Sequence, residues 1–275
     1  SVAAYHGYNY LLARENLTDH LSKNEKQNKI RQRLLKIRAK KVIVATGSLE
    51  RPLVFDNNDR PGIMLSSAIK KYADYYGVIC GKKNVFFTNN DTAYESAISL
   101  FKKGIKVKGI IDIRNKSESQ FVKEAENLGI KIYWSHTVVD TSGYRRLKEI
   151  SIMQLSKDNQ SVIGSKININ CDCLAIAGGW TPAVHLFTQS GGKLKFREKD
   201  QVFIPNKYPS KQISIGSCNG DFELDDIIKN SSKSLKDFLE INKTDYDNLS
   251  VLASKETNKK NIWLLPSDKI IGKTK

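Results

Sequence analysis

No stretch of the sequence approaches the ~20 uninterrupted apolar residues that a membrane-spanning helix requires, and the chain gives no reason to expect a membrane partner. The opening Ser1-Val2-Ala3-Ala4-Tyr5-His6 lacks a basic segment followed by an apolar one, so it does not read as a secretory signal. Cysteine is scarce: Cys80, Cys171, Cys173 and Cys218 form no C-x-x-C pair, and no second cluster completes a zinc site. They read as reduced, mostly buried thiols of a cytoplasmic protein. The histidines, His6, His20, His136 and His185, are scattered, and none has a Ser, Cys or carboxylate at the spacing of a triad or a metal site. Neither a catalytic nor a metal-binding residue is therefore expected in this chain.

What is present is ordinary globular material: 275 residues, 40% apolar and 27% charged, enough to bury a core in one large or two small domains. The formal net charge is +16, a value that would suit nucleic acid. The lysines, however, are dispersed and are not interleaved with aromatic residues as a base-stacking platform requires. Lys, Asn and Ile are enriched together, a bias that AT-rich coding produces without selection for charge. A basic nucleic-acid-binding module is the weakest rival reading, and no nucleic-acid partner is expected. The first residue is Ser and a strand-like stretch begins at once, so the chain reads as a fragment of a longer product.

Three apolar or alternating stretches, Val2 to Ala13, Lys29 to Ile37 and Lys41 to Ala45, read as a small antiparallel meander feeding a buried strand. That strand runs into Ala45-Thr46-Gly47-Ser48, and small residues at a sheet's carboxyl edge let backbone approach a ligand closely. A strand-turn-helix-strand series follows: Asn84 to Phe87, Thr88 to Thr92, a helix from about Ala93 to Lys103, and Ile105 to Ile111 ending at Asp112. This is a βαβ unit. A helix over Ser117 to Leu128 and strands at Ile130 to Tyr133, around Val138, at Arg146 to Leu155 and at Ile167 to Asn170 come next. A second buried strand, Cys173 to Ala177, ends in Gly178-Gly179-Trp180-Thr181-Pro182. Finally, Gln212 to Ile215 runs into Gly216-Ser217-Cys218-Asn219-Gly220, ahead of an amphipathic helix over Leu224 to Phe238. Three strand ends thus converge on small residues.

The order A-T-G, βαβ, strand plus Gly-Gly-x-x-Pro, strand plus Gly resembles the two-dinucleotide-domain flavoproteins related to pyridine nucleotide-disulfide oxidoreductases. The strings Ala45-Thr46-Gly47-Ser48-Leu49-Glu50-Arg51-Pro52, Asn57-Asn58-Asp59-Arg60-Pro61-Gly62-Ile63-Met64, Phe86-Phe87-Thr88-Asn89-Asn90-Asp91 and Gly178-Gly179-Trp180-Thr181-Pro182-Ala183-Val184-His185-Leu186 resemble the alpha subunits of heterotetrameric sarcosine oxidases. The resemblance runs from the first residues to about Pro266. It implies an α/β fold with an outer dinucleotide-binding domain, residues 1–55 and 172–245, interrupted by a nested Rossmann-like domain at 56–171. A linker, 246–275, would then lead toward a carboxyl-terminal region.

The resemblance also implies NAD in the outer domain, where it is not consumed as a hydride carrier. Ala45, Thr46, Gly47, Gly216 and Asn219 are its candidate contacts. FAD and FMN are implied on or near a beta subunit, tetrahydrofolate on the far carboxyl-terminal part, and beta, gamma and delta subunits as partners. Departures from the wider pattern matter. The first domain's amino-terminal G-x-G-x-x-G is absent from this chain. Laid on that motif, the nested turn puts Thr88 and Asn90 at the first two glycines and Ala93 at the third, which fills the space a pyrophosphate needs. Asp112 then reads as a strand-end residue rather than a ribose ligand. In the late motif Ser217 stands where an Asp usually holds a flavin ribityl chain. A free-standing NAD(P)H-dependent flavoprotein reductase is the rival enzyme reading, and it lacks both a C-x-x-C and an intact nested glycine turn.

Overall fold

The computed structural model describes residues 2–26, 29–209, 211–241 and 259–268. Their order is β1 (Val2–Tyr5), β2 (Tyr10–Asn16), β3 (Gln32–Arg38), β4 (Val42–Val44), β5 (Ser48–Glu50), β6 (Ile63–Leu65), α1 (Ser66–Tyr76), β7 (Asn84–Thr88), α2 (Thr92–Lys102), β8 (Val107–Asp112), α3 (Gln120–Asn127) and β9 (Ile132–Trp134). There follow β10 (His136–Ser142), β11 (Glu149–Leu155), β12 (Val162–Asn170), β13 (Cys173–Ala177), β14 (Trp180–Pro182), α4 (His185–Gln189), β15 (Lys193–Arg197), β16 (Val202–Lys207), β17 (Gln212–Ser214), a 3-10 turn over Gly216–Asn219, and α5 (Leu224–Leu239). The chain divides into two compact units, residues 1–49 with 181–253 and residues 50–180 with 254–275.

In the second unit five parallel strands lie in the order β6-β13-β7-β8-β9. A strand covered on both faces must be apolar at every position, and Val85-Phe86-Phe87 and Cys173 to Ala177 are. Alternate side chains separate cleanly. Phe86, Ile110, Cys173 and Ala175 pack with Ile69, Ala93, Ala97, Val122 and Ala125 of the three helices. Val85, Phe87, Ile111, Leu174 and Ile176 pack with Val138, Ile150, Ile152 and Ile169 of the antiparallel β10-β11-β12 sheet. Cys173 to Ala177, assigned from sequence to the outer part, is the second strand of this sheet. The boundary expected at 171/172 is corrected accordingly: β13 pairs in parallel register with β7 over its whole length. The expected linker is corrected over its described part too, since Ile262, Trp263 and Leu265 pack on the second unit's core. Residues 246–258 and 269–275 of that linker lie outside the described residues.

In the first unit β1-β2-β3 form an antiparallel sheet, and β4 pairs in parallel with β17. The stretch Val2 to Ala13 is two strands rather than one. Gly7, Tyr8 and Asn9 all take positive φ, which reverses the chain between them. The first unit also holds the hairpin β15-β16.

Helix α1 begins without a side-chain cap from its own neighbours. Its cap comes from Glu50, whose carboxylate accepts from Ser67 N at 2.9 Å and Ser67 Oγ at 2.6 Å. Burial raises the Glu50 carboxyl above its ordinary value of 4.5, against the lowering by Ser67. Folding therefore favours the protonated form, and stability falls as pH rises from 4.5 through the raised value. Glu50→Gln should abolish this slope: the wild-type minus variant melting temperature should decline between pH 4.5 and pH 7. A difference that stays flat across that window would contradict the assignment.

Candidate functional site

In the first unit, β4 and β17 pair as Gln212↔Val42, Ile213↔Ile43 and Ser214↔Val44, so both strands end at one edge. The structure brings the five candidate residues together there. Ile215 N donates to Val44 O at 3.0 Å, and the Cys218 thiol donates to the same carbonyl at 3.2 Å. Gly47 has φ +75° and Gly216 has φ +71°, a region costly to residues with a Cβ. A Cβ at Gly47 would meet its nearest neighbour, Ser217 Oγ, only at 4.0 Å. Local geometry thus demands glycine for its φ, whereas a Cβ there would make only an ordinary contact with Ser217 Oγ. Thr46 Oγ1 donates to Ala183 O at 2.6 Å and Ala183 N donates back to Gly47 O at 3.0 Å, which fixes the exit from β4. Ala45 and Thr46 are exposed, while Gly47, Gly216 and Asn219 are half-buried.

Sequence reasoning missed the residue that sets the other end of this pair. Asn9, buried at the β1-β2 turn, donates through Nδ2 to Lys40 O at 3.1 Å and Lys211 O at 3.2 Å, close ahead of β4 and β17. Tyr5 OH donates to Asn9 Oδ1 at 2.9 Å and holds the amide in place. Its only sequence signal is an Asn in a turn, where local backbone bonding is the ordinary expectation.

In the second unit the carboxyl edge is built differently. Thr88, Asn89 and Asn90 are fully buried. Thr88 Oγ1 lies 2.9 Å from Asn90 O and 3.1 Å from Ala177 O, Asn90 Nδ2 donates to Ala177 O at 3.1 Å, and Asn90 Oδ1 accepts from Thr92 N at 2.9 Å. A side-chain amide thereby takes the helix amino-terminal donor that a phosphate would otherwise use. Asp112, at the end of β8, accepts from Tyr94 OH at 2.7 Å and from Arg114 Nη2 at 2.7 Å, while Arg114 Nη1 lies 2.8 Å from Asp91. Burial pushes the Asp112 carboxyl up, and the Arg114 hydrogen bonds and charge pull it back. Burial, then the charge of Asp112, raises the Tyr94 phenol. The arrangement is a closed ionic knot.

Burial pushes the Cys171 and Cys173 thiols up to about 12, so neither supplies a thiolate near neutral pH. His136 Nδ1 lies 2.6 Å from Trp134 O, and His6 and His185 are exposed. Among the described residues no group of three His, Cys, Asp or Glu side chains gathers to hold a metal ion, and no helix is long and apolar enough to cross a membrane.

No protein-family model matches the chain. Among solved structures its fold is similar to L-proline dehydrogenase from P. horikoshii (TM-score 0.56, 18% identity, 89% of this chain and 41% of that one). It is also similar to the flavoprotein disulfide reductase RclA from Escherichia coli (TM-score 0.57, 14% identity, 86% and 49%) and to T. acidophilum thioredoxin reductase (TM-score 0.51, 17% identity, 70% and 62%). The class is therefore the mixed α/β, Rossmann-like fold of dinucleotide-binding flavoprotein oxidoreductases. In sequence the chain is 36% identical over 217 residues to sarcosine oxidase subunit alpha of Corynebacterium sp. (strain P-1), covering 78% of this chain and 22% of the relative. It is 34% identical over 194 residues to that of Rhizobium meliloti (strain 1021), covering 68% and 18%. The chain belongs to the sarcosine oxidase alpha-subunit family and spans about a fifth of the length of the curated relatives it matches.

Two substitutions should separate the roles at these edges. Arg114→Met removes the guanidinium that faces both Asp91 and Asp112 in the interior and should cost about 3–5 kcal/mol. Asn9→Ala removes the side-chain donor to Lys40 O and one of the two donors to Lys211 O, and should cost about 1–3 kcal/mol. Denaturant unfolding measures both, and an Arg114→Met loss below that of Asn9→Ala would contradict the ionic knot.

Proposed function

We propose that this chain is the NAD-holding scaffold of a sarcosine oxidase alpha subunit. The single observation that carries the reading is the β4-β17 edge, where two parallel strands lead into positive-φ glycines and a Cβ at Gly47 would meet nothing nearer than Ser217 Oγ at 4.0 Å. The residues fit a dinucleotide: backbone at Gly47 and Gly216 can approach it, Asn219 can bond a ribose, and Ala45 and Thr46 present little bulk. Ser217, in place of an acidic residue, favours NAD over a flavin at this edge. When bound, NAD supplies structural occupancy here rather than hydride transfer. The reading gives this segment no role in carrying electrons.

The assembled enzyme, on this reading, demethylates sarcosine to glycine, with oxygen accepting electrons and tetrahydrofolate taking the one-carbon unit. FAD and FMN belong on or near the beta subunit, and folate to the carboxyl-terminal part of alpha. The beta, gamma and delta subunits are the partners, and the compartment is the cytoplasm. The nested domain contributes shape and a subunit surface. Support comes from the identity to sarcosine oxidase alpha subunits and from the absence of a C-x-x-C that a disulfide reductase would need.

The test is NAD content of the purified full assembly measured beside its melting temperature. Asn219→Ala should lower bound NAD at least fivefold while shifting melting by less than roughly 2 °C, since a half-buried amide outside the core clusters contributes little to folding. Gly47→Val should lose NAD and also melt earlier, through about 1–3 kcal/mol of backbone strain. Full NAD occupancy in both variants would refute the site.

A further inference from the structure

The carboxyl edge of the second unit's parallel sheet is the place where this fold class seats a dinucleotide. In this chain another occupant is already there. Residues 259–265 cross the ends of three strands in succession. At the end of β7, Lys260 N donates to Asn89 O at 3.1 Å and Asn89 Nδ2 donates to Ile262 O at 3.2 Å. Beyond β8, Lys260 Nζ donates to Ile113 O at 2.8 Å and to Asn159 Oδ1 at 2.6 Å. Past β13, Trp263 Nε1 donates to Gly178 O at 2.5 Å, and the Trp263 ring carries the Arg51 guanidinium 3.6 Å from its centroid.

The approach is close enough to require glycine: a Cβ on Gly178 would stand 2.7 Å from Arg51 O and 3.0 Å from Trp263 Cδ1. Lys259 runs beside Gly179, where a Cβ would meet its Cε at 2.9 Å. The segment then continues as a strand-like partner of the chain following β5. Val54 N donates to Trp263 O at 2.7 Å and Leu265 N to Val54 O at 3.0 Å. Leu264 points outward and is 76% exposed, whereas Leu265 is 6% exposed and joins the core.

We propose that the dinucleotide cleft of the second unit is a peptide-binding site whose resident ligand is the chain's own segment 259–265. The ligand is read by an extended backbone, one lysine amine taken up by a strand-end carbonyl, and an indole seated on Gly178. The buried Asn89 supplies both a donor and an acceptor to that backbone, a pairing suited to a peptide rather than to a phosphate. Lys260 is drawn below its ordinary value by burial, offset by the charge of Asp112, so the amine belongs to the interior of the site. This occupant does not depend on the NAD reading of the first unit.

Hydrogen exchange of the full assembly, with and without 1 mM ADP-ribose, tests it. In the wild type, segments 51–55, 86–92 and 259–265 should be protected together, and ADP-ribose should leave exchange at 86–92 unchanged. Lys260→Glu with Trp263→Ala should raise exchange at 51–55 and 86–92 at least tenfold while β11 stays protected. Asn89→Ala, made from the other side of the contact, should raise exchange at 259–265 at least threefold, and it decides the matter if the double variant also exposes β11. Protection of 86–92 by ADP-ribose in the wild type would overturn the proposal. So would a 259–265 segment that exchanges freely in the wild type, or one whose exchange is unchanged by Asn89→Ala.

Discussion

Arg114 lies between Asp91 and Asp112 with almost no access to water, and much of the second unit is arranged around that triad. Two carboxylates cannot be buried near each other without a compensating cation, and a guanidinium can face both at once. The requirement fixes the turn after β7, which carries Asp91, against the end of β8, which carries Asp112. Tyr94 reaches from the first turn of α2 and donates to Asp112 Oδ2, the oxygen that also accepts from Arg114 Nη2. Helix α2 is thereby held by its amino end as well as by the Ala93 and Ala97 face that packs on the sheet.

That constraint has a functional consequence. A strand end of this topology is ordinarily valuable because its donors point at nothing and wait for a phosphate. Here side chains occupy the edge: Asn90 Oδ1 accepts from Thr92 N, Thr88 Oγ1 folds back on Asn90 and Ala177, and Asp112 accepts from Arg114 and Tyr94. The first unit makes the opposite choice. Its β4-β17 edge carries half-buried, positive-φ glycines at Gly47 and Gly216, and the nearest side-chain atom to a Cβ at Gly47 is Ser217 Oγ at 4.0 Å. The two edges share a strand-end logic and differ in whether side chains or glycines follow the last strand residue.

Apart from the short edge strand β6, the strands of the second unit's parallel sheet were legible because a fully covered strand must be apolar at every position, and Cys173 to Ala177 could hardly be anything else. Their allegiance was not legible: that run reads identically whether it joins one sheet or another, and only pairing with Asn84 to Thr88 decides it. Helix α1 was missed because its start signal, Glu50, lies far from Ser67 in sequence. The hairpin β15-β16 was missed because Lys193 to Arg197 alternates charge with apolar residues too briefly to stand out. At the site, the five residues chosen as small or amide groups follow the ends of β4 and β17, which pair in parallel. Asn9, which aligns their strands, gave no sign, since its carbonyl partners are backbone groups with no sequence identity.

The two units differ in one respect: a glycine-lined edge in the first and a side-chain-filled edge in the second. The most direct measurement is a crystal or cryo-microscopy structure of the full assembly purified with its native cofactors, read for where dinucleotide density lies. The account places an NAD against Gly47, Gly216 and Asn219, with residues 259–265 still crossing the ends of β7, β8 and β13. Dinucleotide density over Thr88 to Asp91, with the 259–265 segment displaced and the first unit's edge bare, would contradict it.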